Sequence, residues 1–394
     1  MEKTPISLRK HVAIFGNTNV GKSTMFNALL GQDISIVSDV SGTTTDPVTK
    51  AMELIGYGPV ALVDTAGLGD ESVLGEKRES KTKDILSRTD LVIYVRDISR
   101  YYEPLMEFDL PAITVYTKCD VADKKFVEEI KKENKNDIFI GDYSDEELSA
   151  LKKRMIAELK KQESDDETLL GNILLPDSTV VMVVPIDDAA PKGRLILPQV
   201  QAIRDCLDNG MKAVVVKPEA LSETISEIKK VDLVVTDSQA FKEVSDILPE
   251  NIPLTSFSML LANQKGDISQ FIDGTNVIPF LNDGDEILFL EACTHSASHE
   301  DIGRVKIPAL LTKKTGKKLT FTYMTGYDFP RDVERYKLVI HCGGCMINKR
   351  EIKSRLTVLR EKNVPVTNYG VILAYLNGIL KRASQIFNFI KTQP

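Results

Sequence analysis

Two short groups of chemically active residue types stand far apart in this 394-residue chain. Gly16-Asn17-Thr18-Asn19-Val20-Gly21-Lys22-Ser23 has the spacing G-x-x-x-x-G-K-S. Such a loop lets successive backbone N–H groups wrap phosphate oxygens at a helix N-terminus. Downstream, Cys293-Thr294-His295 and His341-Cys342-Gly343-Gly344-Cys345 bring three of the five cysteines into two short runs that read as metal ligands. A nucleotide-phosphate site is thus joined to a metal site in one chain.

Each residue of the first group has a physical task. Gly16 and Gly21 permit the tight backbone path, and Asn17, Val20 and Thr24 complete the binding segment. Lys22 directs a point charge toward the β- and γ-phosphates, and the Ser23 hydroxyl can ligate Mg2+. Asp64-Thr65-Ala66-Gly67 ends the apolar run 60–64, so Asp64 can hold Mg2+ through water and Gly67 can offer its N–H to a γ-phosphate. Thr117-Lys118-Cys119-Asp120 ends the run 112–117. The Asp120 carboxylate can accept two hydrogen bonds from a guanine edge, with the Lys118 stem across the ring. Thr117 stands where an Asn is usual, which removes an amide that would contact the base and bridge to the phosphate loop. Ser144 is the candidate for the last base-contacting loop. GTP or GDP with Mg2+ is the expected ligand.

The elements that must position these residues follow from the apolar pattern. Residues 11–163 alternate short apolar runs (11–15, 60–64, 90–95, 112–117, 137–141) with helical stretches at 24–30, 124–133 and 145–161. Continuous apolar strands between helices predict a parallel sheet covered on both faces. A charged linker spans 160–168, and a second α/β unit follows with strands at 180–186, 212–216 and 232–236 and a further one at 253–259. Helices are expected there at 198–208, 222–230 and 241–248. In the third unit, runs 286–293 and 337–342 each end at a cysteine cluster, and helices are expected at 348–361 and 369–389. The fold class is therefore α/β throughout: a P-loop nucleotide domain (1–163), a small parallel-sheet domain without motifs (171–260) and a cysteine-bearing domain (261–394). The sequence shows no internal repeat.

Composition narrows the classes. A hydrophobic fraction of 42% with 27% charged residues suits a folded water-soluble chain. No apolar run reaches the length of a membrane span, and no signal segment opens the chain, so a cytoplasmic protein is expected. The net charge of −7 argues against a nucleic-acid surface over the whole molecule, leaving room for a local basic patch. Five cysteines, unevenly placed, do not make a disulfide framework.

The order of nucleotide motifs resembles the translation-factor-related GTPases. Ser41-Gly42-Thr43-Thr44-Thr45-Asp46 resembles the first switch of their potassium-dependent branch, which includes the tRNA-modification GTPase TrmE. That resemblance implies that Thr44 reaches Mg2+ and the γ-phosphate and that Asn19 helps to hold K+. Lys22, Thr44 and Gly67 are then the residues expected to act on the transferred phosphoryl group. Leu68 stands where Ras-like enzymes place a water-orienting Gln, so hydrolysis is expected to be slow or to rely on a cation, with Glu71 and Glu76 nearby.

The cysteines by themselves admit two centres. One is a closed zinc site of three cysteines and a histidine, the other a 4Fe–4S cluster with one iron held by a non-cysteine ligand. C-x-H and H-C-x-x-C behind a TrmE-like GTPase domain resemble the HydF family of FeFe-hydrogenase maturation GTPases along essentially the whole chain. The resemblance implies a 4Fe–4S cluster on Cys293, Cys342 and Cys345, with His295 and His341 foremost for the fourth position and His299, Glu300 and Asp301 as further candidates. It also implies a homodimer formed through the middle domain. The role it implies is a scaffold that receives a di-iron subcluster precursor and delivers it to apo FeFe-hydrogenase, alongside two radical-SAM maturases. The competing expectation is a TrmE-like RNA-associated GTPase with a structural zinc site. Cys119 is expected to be a small filler in its loop, Cys206 a core residue of a helix, and His11 a partly exposed polar residue opening the first strand.

Overall fold

The computed structural model describes residues 6–31, 48–65, 82–162, 168–186, 195–292 and 302–388. The chain divides into two compact units, Met1–Glu163 and Ser164–Pro394. Both are α/β, and no helix among the described residues is long and apolar enough to cross a membrane.

The first unit is built on a six-stranded sheet in the order β2-β3-β1-β4-β5-β6. Its strands are β1 (Lys10–Phe15), β2 (Val48–Leu54), β3 (Gly58–Asp64), β4 (Leu91–Asp97), β5 (Ala112–Thr117) and β6 (Ile138–Phe139). Val12, Ile14, Leu62, Ile93 and Val115 are fully buried or nearly so, as expected of strands covered on both faces. Helices Lys22–Gly31, Lys124–Glu133 and Asp145–Lys160 correspond to the helical stretches read from the sequence. The edge strand β2 was not expected. It runs antiparallel to β3, with Met52 opposite Val60, and Gly56 in the turn between them adopts φ 93°. Its alternation of exposed and buried side chains gives no continuous apolar run to read.

The second unit holds two four-stranded parallel sheets. One contains β7 (Thr179–Val183), β8 (Lys212–Val216), β9 (Leu233–Thr236) and β10 (Leu254–Ser256). The other contains β11 (Glu286–Glu291), β12 (Thr320–Thr325), β13 (Leu338–His341) and β14 (Val366–Asn368). Their orders, β10-β9-β7-β8 and β14-β13-β11-β12, are the same topology twice. Registers agree as well: Val181 lies between Val214 and Val234, and Leu288 between Thr322 and Val339.

The expectation of no internal repeat is therefore corrected. Pro253-Leu254-Thr255-Ser256-Phe257-Ser258-Met259-Leu260-Leu261-Ala262 and Pro365-Val366-Thr367-Asn368-Tyr369-Gly370-Val371-Ile372-Leu373-Ala374 close the two sheets with matching residues. In each, a short last strand passes straight into a helix, Phe257–Lys265 or Tyr369–Leu376. Ser256 and Asn368 cap them by accepting from Met259 N–H and from Gly370 and Val371 N–H. The two helix starts meet reciprocally. Ser258 Oγ lies 3.3 Å from Asn368 Nδ2, and a Cβ on Gly370 would sit 3.0 Å from Ser256 Oγ. A core containing Val181, Leu254, Leu260, Leu288, Val339 and Val371 runs through both sheets.

Two further expectations change. Residues 253–259 are half strand and half helix, and the helix Phe257–Lys265 passes through position 260. The segment 369–389 is not one helix: Tyr369–Leu376 and Leu380–Asn388 are separated at Gly378, whose φ of 76° ends the first.

His11 bears on stability. It was expected to be partly exposed but is 3% exposed, because β1 lies inside the sheet between β3 and β4; burial, then the neighbouring Arg88, pushes its imidazole down to about 4. A depressed histidine is protonated in the unfolded chain first, so folding stability falls as pH drops below about 6.5. Between pH 6.5 and 5 the loss is about 2 kcal/mol at 1.36 kcal/mol per pH unit. Urea unfolding followed by circular dichroism should show this slope, and His11→Gln should flatten it.

Candidate functional site

The nucleotide residues sit at the carboxyl ends of β1, β3, β5 and β6, where an open α/β sheet offers its crevice. Gly16 leaves β1 with φ 152°, and a Cβ there would lie 2.2 Å from Val95 O. No other residue fits. Asn19 adopts φ 62° and Gly21 φ 96°, which turns the chain into the helix that starts at Lys22. Val20 is buried in the sheet's core, and Asn17 and Thr24 remain exposed. Lys22 Nζ donates to Gly16 O at 2.9 Å and Asn17 O at 2.7 Å, inside the loop. Ser23 Oγ lies 3.2 Å from Asp64 Oδ2, so the two expected Mg2+ partners converge from the first turn of the helix after β1 and the end of β3.

Base recognition is built by β5 and β6. Thr117 Oγ1, 1% exposed, reaches Val20 O at 2.7 Å and Arg96 O at 3.0 Å. The bridge to the phosphate loop that the missing Asn seemed to remove is therefore made by a hydroxyl. Lys118 adopts φ 60° and its Nζ lies 2.6 Å from Asp97 Oδ2. Burial alone would push the Asp97 carboxyl up, but the Lys118 ammonium and the Ser99 N–H and hydroxyl hold it below the usual range. Asp97 was missed in the sequence, although it ends the 91–97 run opposite Thr117 in the sheet. Asp120 is exposed at the end of this turn. Gly141 is pressed against it, since a Cβ there would meet Asp120 N at 3.1 Å. Ser144 stands at the N-cap of Asp145–Lys160 without a side-chain capping bond. The Tyr143 hydroxyl closes the loop over Gly21, 3.0 Å from where its Cβ would be. Thr44, Gly67, Leu68, Glu71 and Glu76 lie outside the described residues.

The cysteine site is a consequence of topology. β11 and β13 are neighbours in the sheet, with Leu290 opposite His341, although β12 intervenes in sequence. Both strands end at the same edge, and chain order reverses between them. Ala292 N–H, one residue before Cys293, donates to Cys342 Sγ at 3.1 Å, and Gly344 N–H donates to it at 3.4 Å. Gly344 takes φ 65°, which curls the turn and aims its N–H at sulfur. Asn348, 4% exposed, ends the turn by capping Lys349–Glu361.

Charges around this turn are buried. Burial pushes the Cys342 thiol up to about 11, opposed by the two N–H bonds that favour its thiolate. Burial raises Cys345 too, opposed by Lys265. His341 is 1% exposed and is depressed to about 3 by burial and by Arg355. Its Nδ1 lies 2.8 Å from Cys342 O, and its buried Nε2 has no hydrogen-bond partner among the described residues. Glu291, last residue of β11, accepts from Arg304 at 2.9 Å and Tyr369 at 3.2 Å. That clamp anchors the strand two residues before Cys293, and no sequence motif marked it. Cys293, His295, His299, Glu300 and Asp301 lie outside the described residues. Among the described residues no three His, Cys, Asp or Glu side chains gather into a metal site. The donor set nevertheless fits a soft metal: two cysteines in C-x-x-C, peptide N–H groups on sulfur, and an orphaned imidazole nitrogen.

Cys119 and Cys206 are packing residues, each with its thiol raised to about 11 by burial. Thr117→Val should leave the shape unchanged and orphan the Val20 carbonyl. At 1–3 kcal/mol for a buried group left unpaired, guanine-nucleotide affinity should fall roughly five- to 150-fold in a fluorescent-GDP titration.

Comparison with known proteins covers most of the chain in three consecutive matches. Residues 11–161 match the 50S ribosome-binding GTPase model, 169–266 the hydrogen maturase F dimerization domain and 269–386 the hydrogen maturase F tetramerization domain. GTPase Der of Wolinella succinogenes is 38% identical over 144 residues, 34% of this chain and 30% of that protein. The tRNA modification GTPase MnmE of Thermoanaerobacter sp. (strain X514) is 37% identical over 155 residues, 38% of this chain and 32% of that protein. The chain thus spans about a third of the length of these relatives, through its GTPase domain. Two adjoining domain models specific to one family carry the rest: the chain belongs to the hydrogen maturase F family.

Proposed function

We propose that this protein is a GTPase and iron–sulfur scaffold that matures FeFe-hydrogenase. The observation that carries this reading is the convergence of β11 and β13, which sets Ala292 N–H on Cys342 Sγ immediately before Cys293. Residues 1–163 would bind and hydrolyse GTP, 171–260 would form a homodimer, and 261–394 would hold the cluster, in a cytoplasmic protein.

In the nucleotide domain, the amides of 16–23 cradle the phosphates and Lys22 adds its charge. Ser23, Asp64 and Thr44 hold Mg2+, Asn19 holds K+, and Gly67 N–H contacts the γ-phosphate. Lys118 and Asp120 select guanine, with Thr117 tying their turn to the phosphate loop and Ser144 closing the site. With Leu68 in place of a water-orienting side chain, hydrolysis is slow and stimulated by K+.

Cys293, Cys342 and Cys345 would hold a 4Fe–4S cluster, whose chemistry is to present one iron that no thiolate saturates. His295 or His341 would take the fourth position, and the unpartnered Nε2 supports His341. The peptide N–H groups of Ala292 and Gly344 stabilise thiolate charge. A di-iron precursor is the cargo, received beside two radical-SAM maturases and passed to apo FeFe-hydrogenase. GTP turnover would regulate exchange of partners rather than carry out the metal chemistry.

In an anaerobic maturation assay, Cys342→Ser and Cys345→Ser should each abolish hydrogen evolution by the target hydrogenase. GTP hydrolysis should be unchanged by them and faster in K+ than in Na+. Serine variants that mature the hydrogenase as well as the unsubstituted chain would refute the scaffold role. RNA binding that weakens with salt, with zinc in the cysteine site, would favour the TrmE-like alternative.

A further inference from the structure

The Cys342–Cys345 turn rests on a buried ammonium. Lys265, last residue of the helix Phe257–Lys265, is 3% exposed. Its Nζ donates to Gly344 O at 2.8 Å and Ile347 O at 2.9 Å. These carbonyls flank Cys345 on either side, so the charge sits directly beneath the C-x-x-C segment. Among the described residues no carboxylate pairs with it. The nearby buried Glu351 carboxylate is engaged by Arg355 at 2.7 Å. Among the described residues the other titratable groups that act on Lys265 or are acted on by it are His341 and the two thiols. A buried cation without an anion is strongly unfavourable, and carbonyl dipoles offset only part of that cost. Among the described residues, the sulfurs of Cys342 and Cys345 are therefore the groups left to balance that charge.

We propose that Lys265 is the built-in counter-charge of the thiolate-held centre, stabilising its more negative, reduced state and so raising its reduction potential. The proposal rests on the reading that the centre is an iron–sulfur cluster. Lys265 is a positioning and electrostatic residue, since its bonds go to the backbone and none to a ligand sulfur. A fixed positive charge favours the added electron, in the way that net charge and hydrogen bonding tune such clusters generally. Lys265 also lies in the last turn of its helix, where the helix dipole favours a cation.

The test uses the full chain, reconstituted anaerobically with iron and sulfide, as wild type, Lys265→Gln, Lys265→Met and Lys265→Arg. Gln keeps a donor for the two carbonyls without the charge, Met removes both, and Arg keeps the charge. Iron content, GTP hydrolysis as a folding control, and the midpoint potential from an EPR-monitored titration are measured. The expected result is a more negative midpoint in Lys265→Gln, about a tenfold loss of reduced over oxidised cluster at fixed potential, or ~59 mV for one electron. Lys265→Arg should titrate near wild type. A Gln or Met variant that hydrolyses GTP but takes up no iron, with loading restored in Arg, would also support the counter-charge. Lys265→Gln that loads fully and titrates at the wild-type midpoint would overturn it, as would loss of iron that Arg does not restore. If wild type itself took up no iron, the cluster reading would fail, and this inference with it.

Discussion

Parallel strands force chemistry to one edge of a sheet. Because every strand of a βαβ unit runs the same way, all the loops after them emerge together, and chain order reverses at one place between two neighbours. In the cysteine-bearing sheet that place lies between β11 and β13. The residues following them are Ala292-Cys293 and Cys342-Gly343-Gly344-Cys345. Nothing local to either run brings Ala292 and Cys342 together; the pairing of Leu290 with His341 does. The nucleotide residues obey the same constraint, with Gly16, Asp64 and Asp120 following β1, β3 and β5.

What the two sites share in architecture they do not share in electrostatics. The phosphate loop is open to solvent at Asn17, Thr18, Asn19, Ser23 and Thr24, with Lys22 bonded to the loop's own carbonyls. The cysteine turn is more enclosed: His341 is buried, Cys342 and Cys345 are half-buried, and the charges around them are held by the fold. Lys265 beneath the turn and the Arg355–Glu351 pair beside it are both held by helices of the shared core. Such an arrangement suits a centre whose charge must be stabilised by protein rather than by water.

Much of the first unit was legible because its strands are continuous apolar runs and its motifs end them. β2 was not, since an antiparallel edge strand with one exposed face leaves only weak alternation. The duplication of the four-stranded sheet was hidden for another reason. Strand ends are where function diverges, so Thr236-Asp237 and His341-Cys342 occupy equivalent registers with unrelated side chains. The likeness survives in the packed segments 253–262 and 365–374, visible once the topology is known. Lys265 reads in sequence as an ordinary basic residue at a helix end. Its burial comes from a turn lying far along the chain, and Asp97 gains its meaning likewise from Lys118 across the sheet.

The central claim is that the edge formed by β11 and β13 holds iron and sulfide, not a closed zinc ion. Anomalous diffraction from anaerobically grown crystals, collected on either side of the iron and zinc absorption edges, tests it directly. The account predicts iron signal within bonding reach of Cys342 and Cys345, with the segment carrying Cys293 as the third anchor and one iron lacking a cysteine. A single zinc peak held by four protein ligands at that edge would contradict it.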